Sequence, residues 1–135
     1  MTEQHPFDLT NQENRAVFEY IKNLSAHSDL VEPLVEAVKP LGDVQIFTPE
    51  RPGGYGYYTV STRGIIFGFV IGTQCEVYFR LDPIMKQRAL ATGGIDFSEC
   101  GPNWVTFKIF RGDWPEPDLE FWARKAYVYI RENIP

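Results

Sequence analysis

The chain is short of the residues from which most enzyme sites are built. Its 135 residues include two cysteines and two histidines. Cys75 and Cys100 are too few for a disulfide framework or a zinc site and are read as reduced thiols. Catalysis by Ser-His-Asp or Cys-His needs a base beside a nucleophile. No local argument places His5 or His27 next to either thiol. Positive charge is scarce as well, with 13 Lys and Arg against 18 Asp and Glu, a formal net charge of −5. That balance disfavours nonspecific contact with a phosphate backbone. The longest apolar run, 65–72, is strand-sized and far short of the ~18 residues of a membrane helix. The opening MTEQHPFDLT has neither a basic segment nor an apolar stretch, so secretion is not expected. A cytoplasmic chain that does not engage a membrane is the expectation.

What remains is a core-building sequence, 44% hydrophobic and 15% aromatic. That is enough for one domain over 1–135 with a real interior. Residues 1–9 read as a loose arm. Thr10 and Glu13 match a capping box, and Val17, Tyr20, Ile21 and Leu24 recur at helical spacing, which predicts a helix over about 11–24. Ser28 or Asp29 begins a second, with Leu30, Val31, Leu34, Val35 and Val38 on one face and Pro33 tolerated only in its first turn. From Val44 the period changes to two. Strands are expected over 44–47, 57–61, 65–71, 75–81 and 103–110. Thr62-Arg63-Gly64 and Gly72-Thr73 turn the chain between strands. In 65–71 the residues Ile65, Phe67, Phe69 and Ile71 are assigned to one bulky face. In 74–81, Gln74, Glu76, Tyr78 and Arg80 are assigned to a wet face. Asp82-Pro83 starts a helix that ends before Gly93-Gly94, and Pro115 and Pro117 introduce a last one. The class is α+β, an antiparallel sheet with helices packed on it.

Each candidate site carries a plainer structural reading. Cys75 alternates with core residues and is expected to be a small buried hydrophobe. Cys100 lies in a loop, Glu99-Cys100-Gly101-Pro102, a place open to exposure. Asp96, Glu99 and Cys100 are the densest ligand group, but without histidine spacing they do not define a metal site. Glu116, Asp118 and Glu120 flank a helix start, where they complement its dipole. Gly53-Gly54-Tyr55-Gly56 is followed by strands, without the Lys-Ser/Thr of a phosphate loop or the helix of a dinucleotide fingerprint. No catalytic, metal or cofactor residue is assigned. The one surface worth pursuing is aromatic and basic: Arg51, Tyr55, Tyr57, Tyr58, Arg63 and Arg80. As a platform it suits a partner's side chains or stacked bases. Lys86 and Arg88 would extend it.

The order of pieces resembles the TfoX N-terminal domain family: Leu41-Gly42, the strand 44–47, the Gly53-Gly54-Tyr55-Gly56-Tyr57-Tyr58 loop, then the strands 65–69 and 77–81. Trp104-Val105 before Phe121-Trp122-Ala123 and Ala126-Tyr127 is similar to the related MmcQ/YjbR group. The resemblance implies a curved antiparallel sheet with helices against it, of the secretion-chaperone type, with no catalytic residues to carry over. It implies a regulatory or protein-interaction module, with a protein partner or self-association. The alternatives are DNA binding by the aromatic-basic face, or a small-ligand pocket under 53–58.

Overall fold

Helix starts and strand periods in this chain are set by a few local interactions. A computed structural model describes residues 5–23, 31–49, 57–71, 76–108 and 118–133. The first helix, α1 (Gln12–Ile21), begins one residue later than the capping box indicates. Asn11 is the cap, its Oδ1 accepting from the Asn14 backbone N–H at 3.0 Å, while Thr10 turns back to bond the Asp8 carboxylate. The second, α2 (Val31–Val38), carries Pro33 in its first turn, as expected. Its predicted caps, Ser28 and Asp29, lie outside the described residues.

Strands β1 (Gln45–Phe47), β2 (Tyr58–Thr62), β3 (Ile65–Ile71) and β4 (Glu76–Arg80) follow, then α3 (Pro83–Ala91). Asp82 caps α3 with its Oδ1 on the Met85 N–H at 2.8 Å, and Pro83 opens it. A two-residue strand that the sequence reading missed, β5 (Ile95–Asp96), precedes β6 (Trp104–Lys108), and α4 (Leu119–Asn133) closes the described chain. The strands form one open antiparallel sheet in the order β1-β2-β3-β4-β6-β5. The fold is α+β. No helix among the described residues is long and apolar enough to cross a membrane.

Helices cover both faces of the sheet. On one, the α4 face, α2, α3 and α4 pack over Val60, Ile65, Phe67, Val70, Val77, Phe79 and Val105. On the other, the α1 face, α1 and the segment before it pack over Tyr57, Ile66, Phe69, Ile71, Tyr78 and Trp104. The N-terminal residues that are described are therefore not a loose arm. Phe7 is 4% exposed, and the Asp8 N–H donates to the Gly64 carbonyl at 2.9 Å.

Strand β3 departs from simple alternation. Ser61 pairs with Ile66 and Val60 with Gly68, so Phe67 is an extra residue in a β-bulge. Ile65 and Phe67 point to the α4 face, whereas Phe69 and Ile71 point to the α1 face. The single bulky face expected from 65–71 is thus split in two. The polar side of β4 is not wet either, because Tyr78 and Arg80 are buried beneath the α1 layer.

One end of α4 is clamped to distant loops. Arg131 Nη1 bonds Thr62 Oγ1 at 2.8 Å and the Asp43 carboxylate at 3.3 Å. Arg63 Nη1 donates to the Arg131 carbonyl at 3.4 Å, a helix C-terminal acceptor that a cation suits. The Tyr127 hydroxyl donates to the Gly42 carbonyl. Arg63 itself has φ 54 and Gly64 φ 77. That pair of left-handed residues closes the tight β2–β3 hairpin.

Candidate functional site

The described members of the aromatic-basic platform do not share one surface. Arg51 and Tyr55 lie outside the described residues, as do the 53–56 loop and the ligand pocket proposed beneath it. Adjacent residues of a strand face opposite ways, and Tyr57 and Tyr58 obey this. Tyr57 is buried on the α1 face against Phe18 and Phe47, with ring centroids 6.3 and 6.1 Å away. Tyr58 is half-buried against the α4-face core. Arg63 is exposed at the hairpin. Arg80 is 5% exposed, its guanidinium paired with the Glu13 carboxylate and lying 5.6 Å from the Tyr129 ring centroid. The basic extension disperses too, since Lys86 pairs with Asp96 at 2.7 Å. Two of the four described residues are therefore interior, and the platform is corrected to Arg63 with half-buried Tyr58.

The polar chemistry collects on the α1 face instead. Asn14 is its centre. It lies on the same helix face as Val17 and Ile21, and all three are buried. Its Nδ2 donates to the carbonyls of Asp8 and Gly64, both at 2.7 Å, and its Oδ1 accepts from the Ile66 N–H at 2.9 Å. One side chain thus joins the N-terminal segment, α1 and the β2–β3 hairpin. Beside it the Arg80–Glu13 pair ties α1 to β4.

Toward the other end of α1 lies a tyrosine pair. The Tyr78 hydroxyl donates to Glu76, and the Tyr20 and Tyr78 side chains are hydrogen-bonded. Phe97 packs on both rings, at 5.1 and 4.7 Å, and Phe69 stacks on Tyr78 at 4.5 Å. Burial first, then the bond to Glu76, pushes the Tyr78 hydroxyl well above the usual phenol range. Burial and the Glu99 carboxylate likewise raise Tyr20. Both hydroxyls stay protonated near neutrality, suited to donating hydrogen bonds and not to acting as bases.

Cys100 is 2% exposed, a correction to the open loop position expected for it. Burial, with a smaller effect from Glu99, pushes its thiol up from 9.0 to about 12. A thiol held protonated is a poor nucleophile. Because the unfolded chain releases this proton first, the contribution is intact below pH 9 and is lost as pH rises toward 12. The limiting slope is about 1.4 kcal/mol per pH unit. Urea unfolding is expected to show a loss of about 1–2 kcal/mol between pH 8 and pH 10.5, reduced in Cys100→Ala. An equal loss in that variant would refute the assignment. Cys75, read as buried, lies outside the described residues.

Four buried side-chain atoms on this face lack a hydrogen-bond partner: His5 Nε2, Ser61 Oγ, Arg80 Nε and Trp104 Nε1. An unmet buried group costs about 1–3 kcal/mol. Arg80 and Trp104 are cross-strand neighbours, so two unmet donors sit side by side. His5 packs among Phe7, Phe18 and Phe47, 4.9–5.0 Å away.

Sequence reasoning missed Asn14, Glu13 and the Tyr20–Tyr78–Glu76 group. Asn14 did leave a signal, an amide three residues before Val17 and seven before Ile21 on the apolar stripe. Glu13 was absorbed into a capping box, Tyr20 into the helical stripe, and Glu76 and Tyr78 into a strand face read as wet. Asp118 and Glu120 are structural, as read: Asp118 Oδ1 accepts from the Phe121 N–H at 3.1 Å, and Glu120 lies 3.5 Å from Arg124. Among the described residues no cluster of His, Cys, Asp and Glu is arranged to hold a metal ion. No protein-family model, curated protein or solved structure matches this chain.

Proposed function

We propose that the chain is a cytoplasmic, nonenzymatic regulatory or protein-interaction module of the TfoX N-terminal-like type that engages its partner at the β1 edge. One observation supports this most directly. With both faces of the sheet covered, β1 is hydrogen-bonded within the sheet on one side, to β2, and it presents Ile46 at 42% exposure. An extended segment added there gains main-chain hydrogen bonds along the edge and an apolar contact at Ile46. The β1 strand of a second copy is such a segment. The nonenzymatic part is supported by chemistry, since Cys100 and Tyr78 are both held in their protonated forms. DNA binding is the weaker reading. It loses Tyr57 and Arg80 from any accessible surface and works against a net charge of −5.

Sedimentation of the full chain at micromolar concentrations tests the reading. The expected result is a reversible dimer whose dissociation constant rises about tenfold or more in Ile46→Lys, a change worth about 1.4 kcal/mol. A monomer throughout, or a dimer indifferent to Ile46→Lys, would overturn the assignment of this edge.

A further inference from the structure

We propose that residues 5–21 form a displaceable cover over the α1 face, lifting from the sheet as a unit while α2, α3 and α4 stay docked. Three observations converge on it.

The two helical layers are anchored unequally. α4 has five buried residues, Leu119, Trp122, Ala123, Ala126 and Ile130, all but one apolar throughout their packing surface, and it rests against α2 as well as the sheet. α1 has three, and one of them is the amide Asn14. The second observation is polar. His5 Nε2, Ser61 Oγ, Arg80 Nε and Trp104 Nε1 all lie on the α1 face, and among the described residues none of the unpartnered buried atoms lies on the α4 face. Opening of the cover frees the His5 ring and the Glu13 side of the Arg80 guanidinium, so part of this penalty falls on the closed state of this layer. Third, the polar grips are few: Asp8, Glu13 and Asn14 hold the hairpin residues Gly64 and Ile66 and the neighbouring Arg80 at one end of α1, and Tyr20 holds Tyr78 at the other. Few polar contacts need to break for the layer to part. Apolar contacts of Phe7, Val17 and Ile21 hold it closed otherwise. Lifting uncovers Tyr57, Phe69, Tyr78 and Trp104.

Cys100 is a built-in reporter, because it is buried in the same cluster as Val17 and Ile21. In a Cys75→Ser chain, its reaction with an aromatic disulfide reagent is followed against urea. The expected rate has a clearly shallower urea dependence than global unfolding. Asn14→Ala is expected to raise the rate at least about tenfold. Ile130→Val, which weakens only the α4 face, is expected to leave it unchanged, whereas a global route would speed it about two- to tenfold. If Asn14→Ala does not fold, Glu13→Gln serves instead, with an expected rise of about threefold. A urea dependence equal to that of global unfolding, together with acceleration by Ile130→Val, would overturn the proposal.

Discussion

Replacing Asn14 by alanine is expected to lower the free energy of unfolding by about 3 kcal/mol, at the high end for a single polar side chain. The reason is the number of groups that depend on it. The Asp8 and Gly64 carbonyls each lose a donor at 2.7 Å, and the Ile66 N–H loses its acceptor at 2.9 Å. The Ile66 donor is the most costly of these, since it lies in a fully buried strand where water does not replace the amide. Asn14→Asp separates the two halves of the effect. It keeps an acceptor for Ile66 but sets a carboxylate against two carbonyl oxygens, so it is expected to be no better than alanine. Chemical denaturation of the three chains checks this. A loss under about 1 kcal/mol in Asn14→Ala would mean that the three bonds are readily replaced by water.

The second large effect is expected at Gly68. A β-carbon there would lie 3.1 Å from Phe79 Cδ1, 3.1 Å from Val60 Cγ2 and 3.2 Å from the Tyr78 carbonyl oxygen. The carbonyl belongs to the neighbouring strand and moves only with the ladder. Gly68→Ala is expected to cost about 1–3 kcal/mol, and Gly68→Val about 3 kcal/mol or more, through overpacking of a filled interior. Gly42→Ala is the contrasting control. Its added carbon would meet only the Tyr127 hydroxyl at 3.9 Å, so a gain of a few tenths of a kcal/mol is expected from the stiffer unfolded chain. Thermal or urea midpoints of the three chains decide the matter, and equal effects at the two glycines would refute the packing argument.

Local chemistry made most of the elements legible. Asp82-Pro83 marked a helix start, Arg63-Gly64 a turn, and the change to period two at Val44 a sheet. What was not legible depended on contacts far along the chain. Tyr78 and Arg80 alternate with apolar residues as a solvated face does. Only the return of α1 over Arg80 and Tyr78, with Phe97 packed on the Tyr78 ring, turns that face into an interior. The bulge at Phe67 was hidden because Ile65-Ile66-Phe67-Gly68-Phe69 is apolar in either phase, so hydrophobicity alone gives no sign of where the alternation slips. β5 is two residues long and exposed, too brief to show any period. For the candidate surface, residue type was a fair guide to which side chains matter and a poor one to which way they point. Tyr57 and Arg80 carry the expected aromatic and cationic groups, but both are directed inward by strand parity.

The clamp on α4 bears on the order in which the molecule can be completed. Its bonds join residues 85, 88, 69 and 68 positions apart. During synthesis Gly42, Asp43, Thr62 and Arg63 all leave the ribosome long before Tyr127 and Arg131 exist. The strands therefore wait with part of one oily side uncovered until α4 is translated. That interval, more than any weakness of the finished protein, is when chaperones would have something to hold.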